Sequence, residues 1–184
     1  MTRLVVLAGP TAVGKGTLVH ALRERSEDIW VSVSATTRPP RPGEVDGEDY
    51  HFVSDEDFTS MIERGELLEW ATVHGKHRYG TPRTPVENSL AAGRPSLLEI
   101  DLQGARQVKA SMPEALYVFI EPPSMDELVR RLVGRGTEDD VERERRLATA
   151  RTEMAASKEF DTIIINDQLD TAVSQLERLV LDAG

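Results

Sequence analysis

The stretch Leu4-Val5-Val6-Leu7-Ala8-Gly9-Pro10-Thr11-Ala12-Val13-Gly14-Lys15-Gly16-Thr17 decides the fold class. Its first five residues are a continuous apolar run, the pattern of a short strand buried on both faces of a parallel sheet. From Thr17 to Arg25 the apolar residues Leu18, Ala21 and Leu22 return at helical spacing. Between strand and helix lies Gly-x4-Gly-Lys. Glycines let successive backbone N–H groups converge on a polyphosphate, the helix adds the positive end of its dipole, and the lysine brings a mobile point charge. An ordinary strand–turn–helix with a surface lysine has the same local pattern, so the phosphate-binding reading depends on what the rest of the chain carries.

Working outward, further short apolar runs lie at Val31 to Val33, Ser96 to Ile100, Leu116 to Ile120 and Thr162 to Ile165. They alternate with helical patterns at Thr84 to Ala92, from Asp101 to about Ser111, from the cap Ser124 through Leu128, Leu132 and Val133, at Val141 to Ser157, and at Leu169 to Leu181. Such alternation predicts an α/β fold, a parallel sheet with helices on both faces. One region breaks the rhythm. Ala35 to Glu48 holds three prolines and two glycines and reads as a long loop. Ser54 then caps a helix bearing Phe58, Met61 and Ile62, and Leu67 to Val73 and Lys76 to Tyr79 read as strands around Gly75. The stretch from Ala35 to Val73 is therefore expected as a small inserted lobe.

Bulk properties narrow the function. The 184 residues favour one domain, and 39% hydrophobic content suffices for a core. With no cysteine, disulfides, thiolate metal sites and cysteine nucleophiles are excluded. No apolar run is long enough to span a bilayer, and no basic-then-apolar leader opens the chain, so a cytoplasmic location is expected. The net charge of −10 argues against nonspecific binding to nucleic acid or membrane surfaces. If the ligands are anionic nucleotides, local arginine and lysine clusters must overcome that field.

The segment Ser34-Ala35-Thr36-Thr37-Arg38-Pro39-Pro40-Arg41-Pro42-Gly43-Glu44, continuing to Gly47 and Tyr50, resembles the GMP-binding segment of guanylate kinases. The resemblance runs from about Leu4 to Leu181. It takes in Gly65 to Ala71, Tyr79-Gly80-Thr81, Glu99 to Gly104, Phe119 to Ser124, Arg131 to Glu138 and Ile165-Asn166-Asp167, in order. It implies ATP and GMP as substrates, giving ADP and GDP by direct transfer with Mg2+, in a monomer or homodimer. It implies that Ser34, Glu69, Thr81 and Asp101 meet the guanine base, with Gly80 beside them, and that Arg38, Arg41, Tyr50 and Tyr79 hold the GMP phosphate. Guanine presents two donors on one edge, N1–H and the 2-amino group, and a carboxylate such as Glu69 only accepts. Adenine has an acceptor at N1, which a carboxylate repels.

The resemblance also assigns Gly9, Pro10, Thr11, Ala12, Val13, Gly14, Lys15, Gly16 and Thr17 to ATP, with Arg135 and Asn166 near the adenine. Lys15, Arg38, Arg131, Arg135 and Arg146 are the expected catalytic cations, the last three in a lid that closes over the phosphates and excludes water. On charge pattern alone those arginines read equally as a solvated helix face paired with nearby acids. The implied division is a core at about 1–33, 82–124 and 147–184, a GMP-binding lobe at about 34–81 and a lid at about 125–146. Gly16 stands where a serine or threonine metal ligand is usual, and Gly-Lys-Gly-Thr resembles the loop of adenylate kinases. No direct Mg2+ ligand is therefore assigned, and Thr17 or Asp101 acting through water is the expectation. Two rivals stand beside this reading. One is a non-catalytic interaction module of the same fold, against which Lys15 and the lid arginines argue. The other is a kinase for a different nucleoside monophosphate, against which Glu69, Ser34 and Asp101 argue.

Overall fold

The computed structural model describes residues 2–73, 75–133 and 140–183. In chain order the elements are β1 (Leu4–Ala8), α1 (Lys15–Arg25), β2 (Trp30–Val31), β3 (Ala35–Thr36), β4 (His51–Phe52), α2 (Asp55–Glu63), β5 (Leu67–Val73), β6 (His77–Pro82) and α3 (Arg83–Ala91). They continue with β7 (Ser96–Glu99), α4 (Leu102–Ser111), β8 (Leu116–Glu121), α5 (Met125–Val133), α6 (Asp140–Ala155), a single 3-10 turn at Ala156–Glu159, β9 (Thr162–Ile165) and α7 (Leu169–Asp182).

The larger sheet has five strands in the order β2-β7-β1-β8-β9, all parallel, with β1 at its centre. Every residue of β1 is buried because the sheet is covered on both faces. Alternate side chains feed separate cores. Val5 and Leu7 pack with Leu18, Leu22, Leu128 and Leu176 on one face. Leu4, Val6 and Ala8 pack with Val86, Val108 and Tyr117 on the other. Fully burying each such aliphatic side chain contributes about 1.5–3 kcal/mol before entropy is counted. The α/β expectation thus holds, and the loop after β1 emerges at the carboxyl edge of the sheet, where ligands of open α/β folds bind. No helix among the described residues is long and apolar enough to cross a membrane.

The second sheet has the order β4-β3-β6-β5, with β3–β4 parallel and the other pairings antiparallel. Here the expected Ala35-to-Glu48 loop is corrected. Ala35 and Thr36 form β3 because their backbone pairs with Gly80 and Tyr79, a long-range ladder that local sequence does not reveal. The β6 strand likewise begins at His77 and runs on to Pro82, later than expected. Ser54 caps α2 as expected, its hydroxyl accepting from the Asp57 amide at 3.0 Å.

This sheet has a core of its own. Ala35, Phe58 and Leu67 are buried together, with Val53, Met61 and Ile62 packed around them. The Arg78 guanidinium stacks 4.9 Å above the Phe58 ring and ties itself to Asp55 and Thr59. So small a cluster leaves little to compensate for a lost anchor. Phe58→Ala is expected to cost about 3–5 kcal/mol of unfolding free energy in a urea titration; a loss under about 1 kcal/mol would show that α2 is not held by this contact.

Candidate active site

The loop from Gly9 to Gly14 turns sharply enough to need left-handed backbone at two positions, Ala12 (φ 66) and Gly14 (φ 97). At Gly14 a side chain is excluded twice over, by that φ and because a Cβ would lie 2.8 Å from Asn166 Nδ2. The alanine at position 12 has no such relief, so the loop carries backbone strain there. Two side chains brace the turn at one carbonyl. Val13 O accepts from Asn166 Nδ2 at 2.9 Å and from Arg131 Nη1 at 3.2 Å. Asn166 is buried at the end of β9, so its amide supports the loop.

Lys15 folds back over the turn, donating to Gly9 O at 2.7 Å and Pro10 O at 3.3 Å. Burial lowers its pKa from the ordinary lysine value, and the carboxylates of Glu99, Glu153 and Asp101 partly counter that. Two of those acids, Glu99 and Glu153, carried no role in the sequence reading. Glu153, on α6, accepts the Thr11 amide at 3.0 Å and so places an anion on the loop. Glu99, at the end of β7, is partly buried and accepts no hydrogen bond among the described residues, and desolvation raises its pKa. A Cβ built on Gly16 would lie 4.0 Å from Glu99 Oε1, so this carboxylate faces the place where the usual hydroxyl ligand would stand.

A cavity of about 190 Å³ opens beside the loop, lined by Lys15, Ser34, Tyr50, Glu69, Tyr79 and Asp101 among others. Glu69 is 5% exposed. Its Oε1 accepts from the Thr81 hydroxyl at 2.6 Å, across the Glu69–Thr81 pair of the β5–β6 ladder. Burial pushes its pKa up to about 7; the Thr81 hydrogen bond opposes the shift and nearby Asp101 adds to it. Asp101 caps α4, accepting the Gly104 amide on Oδ1 at 2.7 Å and leaving Oδ2 for another partner.

A second cavity, about 420 Å³, adjoins the first through Tyr79 and Val73 and is lined by Arg38, Arg41, Lys76, His77, Arg145 and Arg146. Arg38, 9% exposed, is heavily committed. Nε donates to Tyr79 Oη, Nη1 to Pro39 O and Glu44 Oε2, and Nη2 to Glu44 Oε1. Of five guanidinium hydrogens, one on Nη2 is left for a ligand. Glu44 also accepts the Arg41 amide at 2.7 Å, so one carboxylate orders both arginines. The Glu44 pair raises the Arg38 pKa still further above the ordinary arginine value. The Tyr50 ring lies under Arg38, 5.3 Å from its guanidinium carbon, and edge-on to Tyr79 at 5.9 Å.

The structure thus gathers Lys15, Ser34, Glu69, Tyr50, Tyr79 and Asp101 around one cavity and Arg38, Arg41 and Arg146 around the next. Thr81 reaches the first through Glu69. Gly80 sits buried in β6, paired with Ala35. Arg131, on α5, lies apart against the Gly9-to-Gly14 loop and also donates to Glu127 at 2.9 Å. Thr17 is exposed in the first turn of α1, and Arg135 lies outside the described residues. No cluster of three or more His, Asp or Glu side chains able to hold a metal ion occurs among the described residues.

Comparisons with known proteins identify the family. The guanylate kinase family model matches residues 1–183. A guanylate kinase of Nocardia farcinica is 59% identical over 99% of this chain and 95% of its own length. One of Mycobacterium sp. is 59% identical over 97% and 91%. The crystal structure of guanylate kinase from Anaplasma phagocytophilum superposes with a TM-score of 0.78 at 34% identity, covering 98% of this chain and 85% of that one. A match along essentially the whole chain, on a fold that brings Lys15 of the glycine-rich loop and the buried carboxylate of Glu69 to one cavity, places this protein in the guanylate kinase family.

Proposed function

We infer that the protein transfers the γ-phosphoryl group of ATP to GMP, giving ADP and GDP, and we propose how its residues divide the work. The observation that carries this reading is the cavity of about 190 Å³ shared by Lys15 and Glu69. A phosphate-binding cation and a buried acceptor suited to guanine face the same space. Donor phosphate and acceptor nucleotide can therefore meet without leaving it.

Ionised Glu69 would accept from guanine N1–H and the 2-amino group, with Thr81 fixing the carboxylate and Ser34 and Asp101 Oδ2 completing the base contacts. The GMP phosphate would lie toward the neighbouring cavity. There Arg41, Tyr50 and Tyr79 are at hand, with the remaining Nη2 hydrogen of Arg38. ATP would lie along the Gly9-to-Thr17 loop, its phosphates displacing the Lys15 ammonium from Gly9 O and the Glu153 carboxylate from the Thr11 amide. Arg131, Arg135 and Arg146 would bear on the phosphates from residues 125–146, the lid of this assignment, with the lobe at 34–81 holding GMP. Phosphoryl transfer asks little covalent chemistry of the protein. It needs in-line alignment, stabilisation of charge on the transferring oxygens and exclusion of water.

Nucleotide phosphoryl transfer generally requires Mg2+. The residues present suit a cation carried in mainly by ATP: Glu99 faces the Gly16 position, and Thr17 and Asp101 stand nearby, each acting through water. When bound, the ion supplies positive charge to the phosphate oxygens.

Three outcomes follow. Lys15→Met should fold as the parent does, by circular dichroism, and lose about 10²–10³-fold in kcat, because its contact strengthens as charge gathers on the phosphate oxygens. Turnover within about threefold of the parent would remove Lys15 from that role. Base choice is tested by ADP release with GMP, AMP, CMP and UMP in turn. GMP should exceed AMP by at least roughly a thousandfold in kcat/KM, since AMP leaves the buried carboxylate unpaired. The sign of the pH effect is fixed too. A pKa raised to about 7 means that Glu69 is protonated below neutrality and ionised above it. The KM for GMP should therefore rise as pH falls through about 7, and Glu69→Gln should abolish that slope. AMP rivalling GMP, or a flat KM between pH 6.5 and 8.5, would refute the guanine assignment.

A further inference from the structure

Helix α4 meets β5 through residues spaced three apart, Asp101, Gly104 and Gln107. The β5 strand is the outermost of its sheet, paired with β6 on one side only. Its other edge is taken by Gln107. The Trp70 amide donates to Gln107 Oε1 at 3.1 Å, and Gln107 Nε2 donates back to Trp70 O at 2.7 Å. A side-chain amide thus stands in for the peptide group of a neighbouring strand and pins β5 at the residue next to Glu69. One helical turn earlier, Gly104 is buried against Glu69 itself. A Cβ there would lie 2.5 Å from Glu69 Oε2 and 3.0 Å from its Cδ, so the carboxylate occupies the space that any side chain at 104 would fill. The same Gly104 amide holds Asp101 Oδ1.

We propose that Gln107 and Gly104 are positioning residues that set where the Glu69 carboxylate stands, and through it the selectivity for guanine. This rests on the assignment of Glu69 as the guanine acceptor. Gln107 fixes the strand along its length, and Gly104 leaves a slot one atom deep into which the carboxylate fits. Asp101, at the start of the same helix, is thereby locked in register with Glu69, so the two acceptors move as one unit. A pair of hydrogen bonds to a base edge tolerates little error, and a displacement of about 1 Å can cost a hundredfold in rate. Gln107 touches neither substrate, so its effect should be confined to GMP.

A double-mutant cycle tests this, using the full chain as parent, Gln107→Ala, Glu69→Gln and the combination. Gln107→Ala should lower kcat/KM for GMP by about ten- to a hundredfold, lower the GMP-over-AMP ratio, and leave the KM for ATP within about twofold. The combined variant should be no worse than Glu69→Gln alone, because Gln107 acts only through Glu69. Gly104→Ala should mimic Glu69→Gln. The proposal is overturned if Gln107→Ala matches the parent with GMP, if its loss multiplies with that of Glu69→Gln, or if ATP and GMP suffer equally. A costly Glu69→Gln beside a silent Gln107→Ala removes the positioning role and leaves the guanine assignment standing; a silent Glu69→Gln removes both. Should thermal melting show Gln107→Ala to be unfolded, Gln107→Met, of similar volume and without either hydrogen bond, carries the same cycle.

Discussion

A carboxylate taken out of water must either find donors or take up a proton, and among the described residues Thr81 alone donates to Glu69. The rest of the site can be understood from that shortage. Guanine brings two donors on adjacent atoms, enough to satisfy the ionised form; adenine brings an acceptor to the same place. On the proposed assignment, selectivity follows from leaving a buried charge unpaired with the wrong base, a penalty larger than any gain from shape alone. The β5–β6 ladder puts the hydroxyl opposite the carboxylate, and α4 closes the other side. The small second sheet serves to hold one acidic group dry.

Electrostatics answer the difficulty raised by a chain of net charge −10 whose substrates are anions. Positive charge is concentrated and partly masked. Lys15 rests on two carbonyls of its own loop, Arg38 is clamped by Glu44, and Glu153 sits on a loop amide. Each of these partners is a group that a phosphate oxygen can replace or share. The cations are thereby pre-oriented before ligand arrives, so less reorganisation is left for the binding step. Glu44 differs from Glu153 in holding two arginines at once, Arg38 through its side chain and Arg41 through its backbone amide.

How much of this was legible in the sequence depended on how local the signal was. The strand Leu4–Ala8 and the helix after it declare themselves by a continuous apolar run and a 3.6-residue period. The Ser54 cap is equally local. The strand Ala35–Thr36 has no such signal: two residues in a proline-rich segment become a strand only because β6 lies beside them. In the site, Lys15, Glu69, Asp101 and the arginines were reachable through ordered motifs. Their partners were not. Thr11 and Glu153 are 142 residues apart, and Trp70 and Gln107 are 37 apart. Pairings made by tertiary folding leave no mark on either segment alone. Beside its expected place near the adenine, Asn166 has an amide bonded to Val13 O, a role in bracing the loop that no motif announces.

The central claim is that a desolvated Glu69 carboxylate waits for guanine, and its own titration tests it most directly. Carboxyl 13C NMR of Glu69, assigned by comparison with Glu69→Gln, should give a midpoint near 7 in the free protein. GMP should drive that midpoint down, because it binds the ionised form, and AMP should leave it in place. A free-protein midpoint near the ordinary glutamate value of about 4.3, unmoved by GMP, would contradict the account.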